Sequence, residues 1–219
     1  MGAQASLFAD VEPSLPEGLS LFRAHVDAAR QMALLDEVAG VLAEAPPYRP
    51  QMKMGAYIIN QISNCGSCGW HADAGGYRYV DVHPETGKPW PPIPPLMMAA
   101  ACEAAGKAGR GDFVPDACLV NIYAAAGKLN LHQDHDEADF SWPIASFSFG
   151  NDCIFLAGGR RRRDPVSPLT LSSGDVMVMD GTARMLFHGV RRILPHNSAP
   201  SHPVLPPQGR INLTFRRAR

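Results

Sequence analysis

The chain has 219 residues, 46 % of them apolar and 19 % charged, and its 20 Lys and Arg against 21 Asp and Glu leave a formal net charge of −1. That size and balance fit a single globular domain; they exclude a disordered chain and a protein that binds polyanions over its whole surface. The sum hides a division, because residues 1–150 carry nine Lys and Arg against 17 acids, whereas residues 151–219 carry eleven Arg and four acids.

Residues 1–18, MGAQASLFADVEPSLPEG, have no basic n-region and no long apolar stretch, so no secretory signal is expected. Gly2 and Ser6 meet a loose myristoylation pattern that carries little weight without a second anchor. Residues 27–45 place Met32, Leu35, Val38, Val41 and Leu42 at helical spacing, and Pro46-Pro47 end that helix. The following stretch, to about residue 92, is rich in Gly, Asn, Cys and aromatics. It predicts short strands and loops suited to a lid or recognition surface. Cys65 and Cys68 form a single CxxC there, for which local packing is the default over zinc or redox chemistry. The five cysteines are an odd number, so no disulfide framework is expected, and the expected compartment is the cytoplasm.

PWPPIPP leads into a second helix over 95–108. From residue 113 the texture changes. Strands are predicted over 117–123, 144–149, 153–157, 169–172, 175–179, 185–190 and 210–216, with a tight turn at Ser173-Gly174-Asp175. No helical period intervenes, which points to an antiparallel sandwich, jelly roll or barrel: a mainly β fold with flanking α. No run approaches the ~18 apolar residues that span a bilayer, and a monomer is expected.

The chemistry centres on Leu131-His132-Gln133-Asp134-His135-Asp136-Glu137. In an extended chain His132, Asp134 and Asp136 project to one side. The imidazole and carboxylate of H-x-D begin a metal site, and a third ligand must come from elsewhere. His188 lies in a strand-like run; His196 and His202 lie in a Pro-rich loop and are poorer candidates. Two His and one carboxylate leave three metal positions open, as in non-haem Fe(II) oxygenases, whereas structural zinc takes four protein ligands. H-x-D also occurs in solvated acidic turns. The strand 210–216 weighs against that. Arg210, Asn212, Thr214 and Arg216 share one face, and Ile211, Leu213 and Phe215 share the other. Two inward arginines need an anion, and a dicarboxylate would satisfy both. Asn121-Ile122-Tyr123 repeats the theme on an earlier strand.

In the order SLFADVEP, SNCGSCGW, GYRY, PETGKPWPPIP, PDACLVNIYAAAGKLNLHQDHDE, GGRRRRDP, LFHGV and RINLTFR, the chain resembles the AlkB family of Fe(II)/2-oxoglutarate dioxygenases nearly end to end. The resemblance implies one domain over 1–219: a double-stranded β-helix, or jelly roll, over about 113–219 and a nucleotide-recognition lid over about 48–92. It implies that His132, Asp134 and His188 bind Fe(II). It implies that Arg210 with Tyr123 holds the distal carboxylate of 2-oxoglutarate, and that Arg216, Asn121 and Asn212 hold the end that chelates the metal. The implied reaction uses O2 to remove methyl groups from base nitrogens, chiefly those of 1-methyladenine and 3-methylcytosine. The implied partner is methylated single- or double-stranded DNA, with RNA as a further candidate, and the products are formaldehyde, succinate, CO2 and the repaired base.

The base must leave its stack to react. By resemblance, Trp70 stacks on it opposite His188, Asp136 selects a cationic base, and Tyr77 and Arg162 contact the nucleotide or its backbone. Arg160, Arg161 and Arg163 read as a solvated basic loop. His135 and Met179 depart from the family pattern, which has Lys and Trp there, and the segment 52–62 is one residue shorter. Two alternatives stay open: the same chemistry on a protein or small molecule, and a catalytically silent nucleic-acid-binding module.

Overall fold

The computed structural model describes residues 15–195 and 199–219. The MGAQAS start, the SLFADVEP segment and His196 lie outside the described residues. The elements in chain order are β1 (Leu19–Phe22), α1 (Ala28–Glu44), β2 (Gln61–Gly66), β3 (Gly69–Asp73), β4 (Gly76–Val80), α2 (Pro95–Lys107), β5 (Ala117–Tyr123), β6 (Leu129–His132), β7 (Ile144–Gly150), β8 (Cys153–Ala157), β9 (Ser167–Leu171), β10 (Val176–Met179), β11 (His188–Ile193) and β12 (Arg210–Arg216).

Six strands form a large sheet in the order β1-β10-β7-β12-β5-β2, four form a smaller sheet in the order β6-β11-β8-β9, and β3 and β4 form a separate hairpin. All the ladders are antiparallel. The expected mainly β jelly-roll class is what the chain adopts, with side chains from both sheets lining one cavity between them.

The strict alternation of β12 decides what each face of the large sheet does. Ile211, Leu213 and Phe215 join Val120, Phe147 and Val178 in a core packed against α1 and α2. Arg210, Asn212, Thr214 and Arg216 face the cavity instead. Asp27 caps α1 by accepting from the Arg30 N–H at 2.8 Å. The buried stripe of α1 runs Gln31, Leu34, Leu35, Val38 and Val41; Met32 and Leu42 are only half-buried. The Glu37 carboxylate of α1 accepts from the Leu96 and Met97 N–H groups, satisfying two of the orphan donors that begin α2. Gly174 holds φ +87° in the turn before β10, and a Cβ there would lie 2.5 Å from the Val26 carbonyl oxygen.

Several strand boundaries differ from expectation by a residue or two, and two differences bear on the site. The strand expected over 185–190 begins at His188 and runs to Ile193, after a 3-10 turn over Gly181–Met185. Arg191-Arg192 breaks the alternation that marks a strand, yet the pairing with β8 continues because a bulge between Val190 and Arg192 leaves both arginines in solvent. The predicted extended run from Leu131 also ends early. Regular pairing stops at His132, and Asp134 is delivered by the loop that follows.

Candidate metal centre and active site

Register builds the centre. His132 ends β6 and His188 begins β11, and the two are direct partners across that ladder, with ring centroids 4.4 Å apart. The candidate this pairing offers for the third position left open by H-x-D is His188, not His202, whose Nε2 pairs with Asp36 on α1 at 3.1 Å. Each imidazole is fixed from behind. Nδ1 of His132 lies 2.9 Å from the Asn130 carbonyl, and Nδ1 of His188 lies 3.0 Å from the Leu186 carbonyl. A carbonyl can only accept, so each Nδ1 carries the proton and each Nε2 keeps its lone pair. Those Nε2 atoms lie 3.6 and 3.7 Å from the two carboxylate oxygens of Asp134. Among the described residues, His132, Asp134 and His188 are the one such cluster able to hold a metal ion.

Electrostatics favour the metal-binding forms of His188 and Asp134. Burial pushes the His188 imidazole down to about 4, against the opposing pull of Asp134. Burial alone would raise the Asp134 pKa; Arg216, then His188 and His132, outweigh it and hold the carboxyl well below the usual range. Neutral imidazoles and an ionised carboxylate are what a divalent metal requires.

Behind Asp134 lies a buried ionic network. Arg216 Nη2 donates to Asp134 Oδ2 at 2.8 Å, and its Nε lies 3.3 Å from Glu137 Oε1, close enough for an ion pair though not aligned as a hydrogen bond. Arg184, from the 3-10 turn, donates to the Asp134 carbonyl and to Glu137 Oε2, both at 2.8 Å. Tyr79, on β4, donates to Glu137 Oε1 at 2.7 Å and accepts from Arg216 Nη1 at 3.2 Å. Sequence reading missed Arg184, Glu137 and Tyr79. Glu137 stood in the quoted motif, and its one signal was an acid beside a metal loop. Arg184→Met leaves Glu137 with one cation fewer and the Asp134 carbonyl without its donor. With Arg216 still 3.3 Å from Glu137, it is expected to lower unfolding free energy by less than the ~3–5 kcal/mol of a stranded buried charge, read as a lower urea midpoint.

Arg210 differs from Arg216. It is 2 % exposed and donates to Ser148 Oγ at 2.8 Å and to Cys153 Sγ, but no carboxylate among the described residues pairs with it and its Nε has no partner. It lies opposite Tyr123 in the β12–β5 ladder, and Asn212 lies opposite Asn121. All four line the cavity with Arg216, the triad, and a floor of Phe155, Leu171, Met177 and Met179. The cavity holds about 620 Å³, within the usual range for a small-ligand site.

The mouth is aromatic and basic. Trp70 and Tyr77, on β3 and β4, stack at 5.8 Å with rings 12° from parallel. Trp70 Nε1 donates to Asp136 Oδ2 at 2.7 Å, and His135 Nδ1 lies 3.0 Å from Asp136 Oδ1. Arg162 lines the mouth, with its guanidinium 5.6 Å from the Phe187 ring and its Nη1 donating to the Leu131 carbonyl. Arg160, Arg161 and Arg163 are exposed beside it. Cys65 and Cys68 are buried free thiols away from the cavity lining, Cys65 facing Cys118 across the β2–β5 ladder.

Residues 18–216 match the 2OG-Fe(II) oxygenase superfamily. The chain is 43 % identical over 202 residues to the alpha-ketoglutarate-dependent dioxygenase AlkB homolog of Caulobacter vibrioides, covering 92 % of this chain and 88 % of that protein. It is 40 % identical over 216 residues to the alpha-ketoglutarate-dependent dioxygenase AlkB of Escherichia coli, covering 97 % of each. The chain belongs to the AlkB family. The solved structure of OsALKBH1 matches it with a TM-score of 0.77 at 31 % identity, over 94 % of this chain and 100 % of that one. As an AlkB-family dioxygenase it uses Fe(II), 2-oxoglutarate and O2. The residues fit those groups. Two imidazoles and one carboxylate suit Fe(II) with open positions, and the buried guanidinium of Arg210, with no carboxylate partner among the described residues, suits an entering carboxylate.

Proposed function

We propose that the enzyme removes methyl groups from alkylated bases, 1-methyladenine and 3-methylcytosine, in DNA and in RNA. The observation that carries this is the meeting, in one cavity, of the His132–Asp134–His188 cluster and the Trp70–Tyr77 pair tied to Asp136. A same-chemistry protein oxygenase has no use for a stacking pair beside four exposed arginines.

Bound Fe(II) supplies the oxidising chemistry with O2 and 2-oxoglutarate. One oxygen atom would end in succinate and the other in formaldehyde; CO2 leaves, the bond between ring nitrogen and methyl carbon breaks with its electron pair returning to the nitrogen, and the one proton released goes to solvent. The protein holds and orients these groups. Arg210 and Tyr123 take the distal carboxylate of 2-oxoglutarate. Asn121, Asn212 and Arg216 frame its other end, Arg216 also steadying Asp134. A base methylated at these nitrogens is cationic, and the Asp136 carboxylate beside Trp70 favours it over the neutral base. Tyr77 and Arg162 hold the nucleotide, and the segment 48–92 serves as the lid over the core 113–219. Free thiols suit a reducing cytoplasm. No helix among the described residues is long and apolar enough to cross a membrane. Exposed Met52, Tyr57, Ile59 and Tyr77 gather at the cavity mouth, where they serve substrate rather than a second subunit, so the working unit is a monomer.

The test is a panel of DNA and RNA oligonucleotides, each with one methylated base, incubated with Fe(II), 2-oxoglutarate and ascorbate. Unmodified base and formaldehyde should appear from at least one; repair of none overturns the proposal. Trp70→Ala should weaken oligonucleotide binding about 10–100-fold, the ~1–3 kcal/mol of one stacked base, while metal affinity stays unchanged. Fluorescence anisotropy and metal titration read the two separately.

A further inference from the structure

The hairpin β3–β4 and the loop after β6 are joined twice. Trp70 donates to Asp136, and Tyr79 donates to Glu137 at 2.7 Å. Trp70 and Tyr79 are direct partners in the hairpin ladder, and their two acceptors are consecutive residues. From Tyr79 the chain of contacts is short: Arg216 bonds both the Tyr79 hydroxyl and Asp134 Oδ2, and Arg184 bonds both Glu137 and the Asp134 carbonyl. Its ionic members are sequestered from water, while Tyr79 and Asp136 are only half-buried. The side chains of Glu137 and Arg184 are 1 % and 2 % exposed, and burial keeps the Tyr79 phenol protonated as a donor. A buried network of this kind has few alternative arrangements, because breaking one bond strands a charge.

We propose that Tyr79 is a positioning residue that couples the base-holding hairpin to the metal-holding Asp134. Filling the centre with metal and 2-oxoglutarate thereby tightens nucleic-acid binding, and bound nucleic acid tightens the centre to the same degree. The coupling rests on the reading that Trp70 and Tyr77 receive a base. A metal held by Asp134 would fix Arg216 through their 2.8 Å bond, Glu137 pairs with Arg216, and the Tyr79 hydroxyl would carry that constraint to the hairpin. Tyr79 touches neither base nor metal. Its hydroxyl is the link, while its ring packs with Cys68, Ala117 and Ala218 whether the hydroxyl is present or not.

Tyr79→Phe removes the link and keeps that packing. Binding of a 1-methyladenine oligonucleotide is measured by anisotropy with and without Mn(II) plus 2-oxoglutarate, a pair that fills the site without turnover. The wild type should bind at least about fivefold tighter with the site filled, within the usual span of coupling between sites. Tyr79→Phe should show less than about twofold, with its affinity in the absence of metal unchanged. A merely structural role would lower both affinities and leave their ratio intact. An undiminished ratio in Tyr79→Phe overturns the coupling, as does a ratio of one in the wild type. Absence of oligonucleotide binding by the wild type under either condition would instead overturn the nucleic-acid reading. Should Tyr79→Phe fail to fold, Glu137→Met removes the acceptor of that hydroxyl from the other side, and an undiminished ratio there overturns the proposal equally.

Discussion

Asp134→Ala is expected to abolish turnover while leaving oligonucleotide binding, measured without metal, within about twofold of wild type. Losing only a partner that orients a metal ligand lowers affinity or activity ~10–100-fold; losing the ligand itself should exceed ~10³-fold. Breaking a buried ion pair usually destabilises by ~3–5 kcal/mol, because the surviving charge is stranded. Here Arg216 keeps Glu137 at 3.3 Å, so the loss of stability should fall below that range. Trp70, Tyr77 and Arg162 have no direct bond to Asp134, and that separation predicts the intact binding. Steady-state formaldehyde release, anisotropy and a urea melt read the three effects. Persisting turnover would show that another residue supplies the carboxylate.

Arg210→Met should raise the KM for 2-oxoglutarate at least ~100-fold, the ~3 kcal/mol of a buried charge-assisted contact. The stability effect has the opposite sign from the usual loss of a buried arginine. Wild-type Arg210 holds a buried cation with which no carboxylate among the described residues pairs. Burying such a charge is unfavourable, and methionine of similar length removes it. The variant without ligand should therefore melt at or above the wild-type temperature. Added 2-oxoglutarate with Mn(II) should stabilise the wild type and barely move the variant. A variant that melts well below wild type, yet keeps its 2-oxoglutarate response, would place the dicarboxylate elsewhere.

Much of the site was legible because strands write it in period two. Alternation over Arg210–Arg216 separates the cavity face from the helix face in the sequence itself, and H-x-D offers two of the candidate ligands from adjacent chain. The choice of His188 over His202 was not legible from spacing. It depends on the cross-strand pairing of His188 with His132, a contact across 56 positions of chain that local pattern does not encode. Arg210 and Arg216 also look alike in sequence. Only the tertiary placement of Glu137 and Asp134 makes one a structural ion-pair partner and leaves the other open to an anion. Arg184 sits in a 3-10 turn with no periodic pattern, and β11 hides behind Arg191-Arg192, where a bulge absorbs the break.

The proposed function requires one cavity to bind 2-oxoglutarate and a methylated base together and to couple the oxidation of one to that of the other. The most direct measurement counts CO2 from carboxyl-labelled 2-oxoglutarate against formaldehyde, with a 1-methyladenine oligonucleotide as substrate. The expected result is one formaldehyde for each CO2 at saturating oligonucleotide. CO2 released at an unchanged rate with and without the oligonucleotide, and no formaldehyde beside it, would contradict the claim.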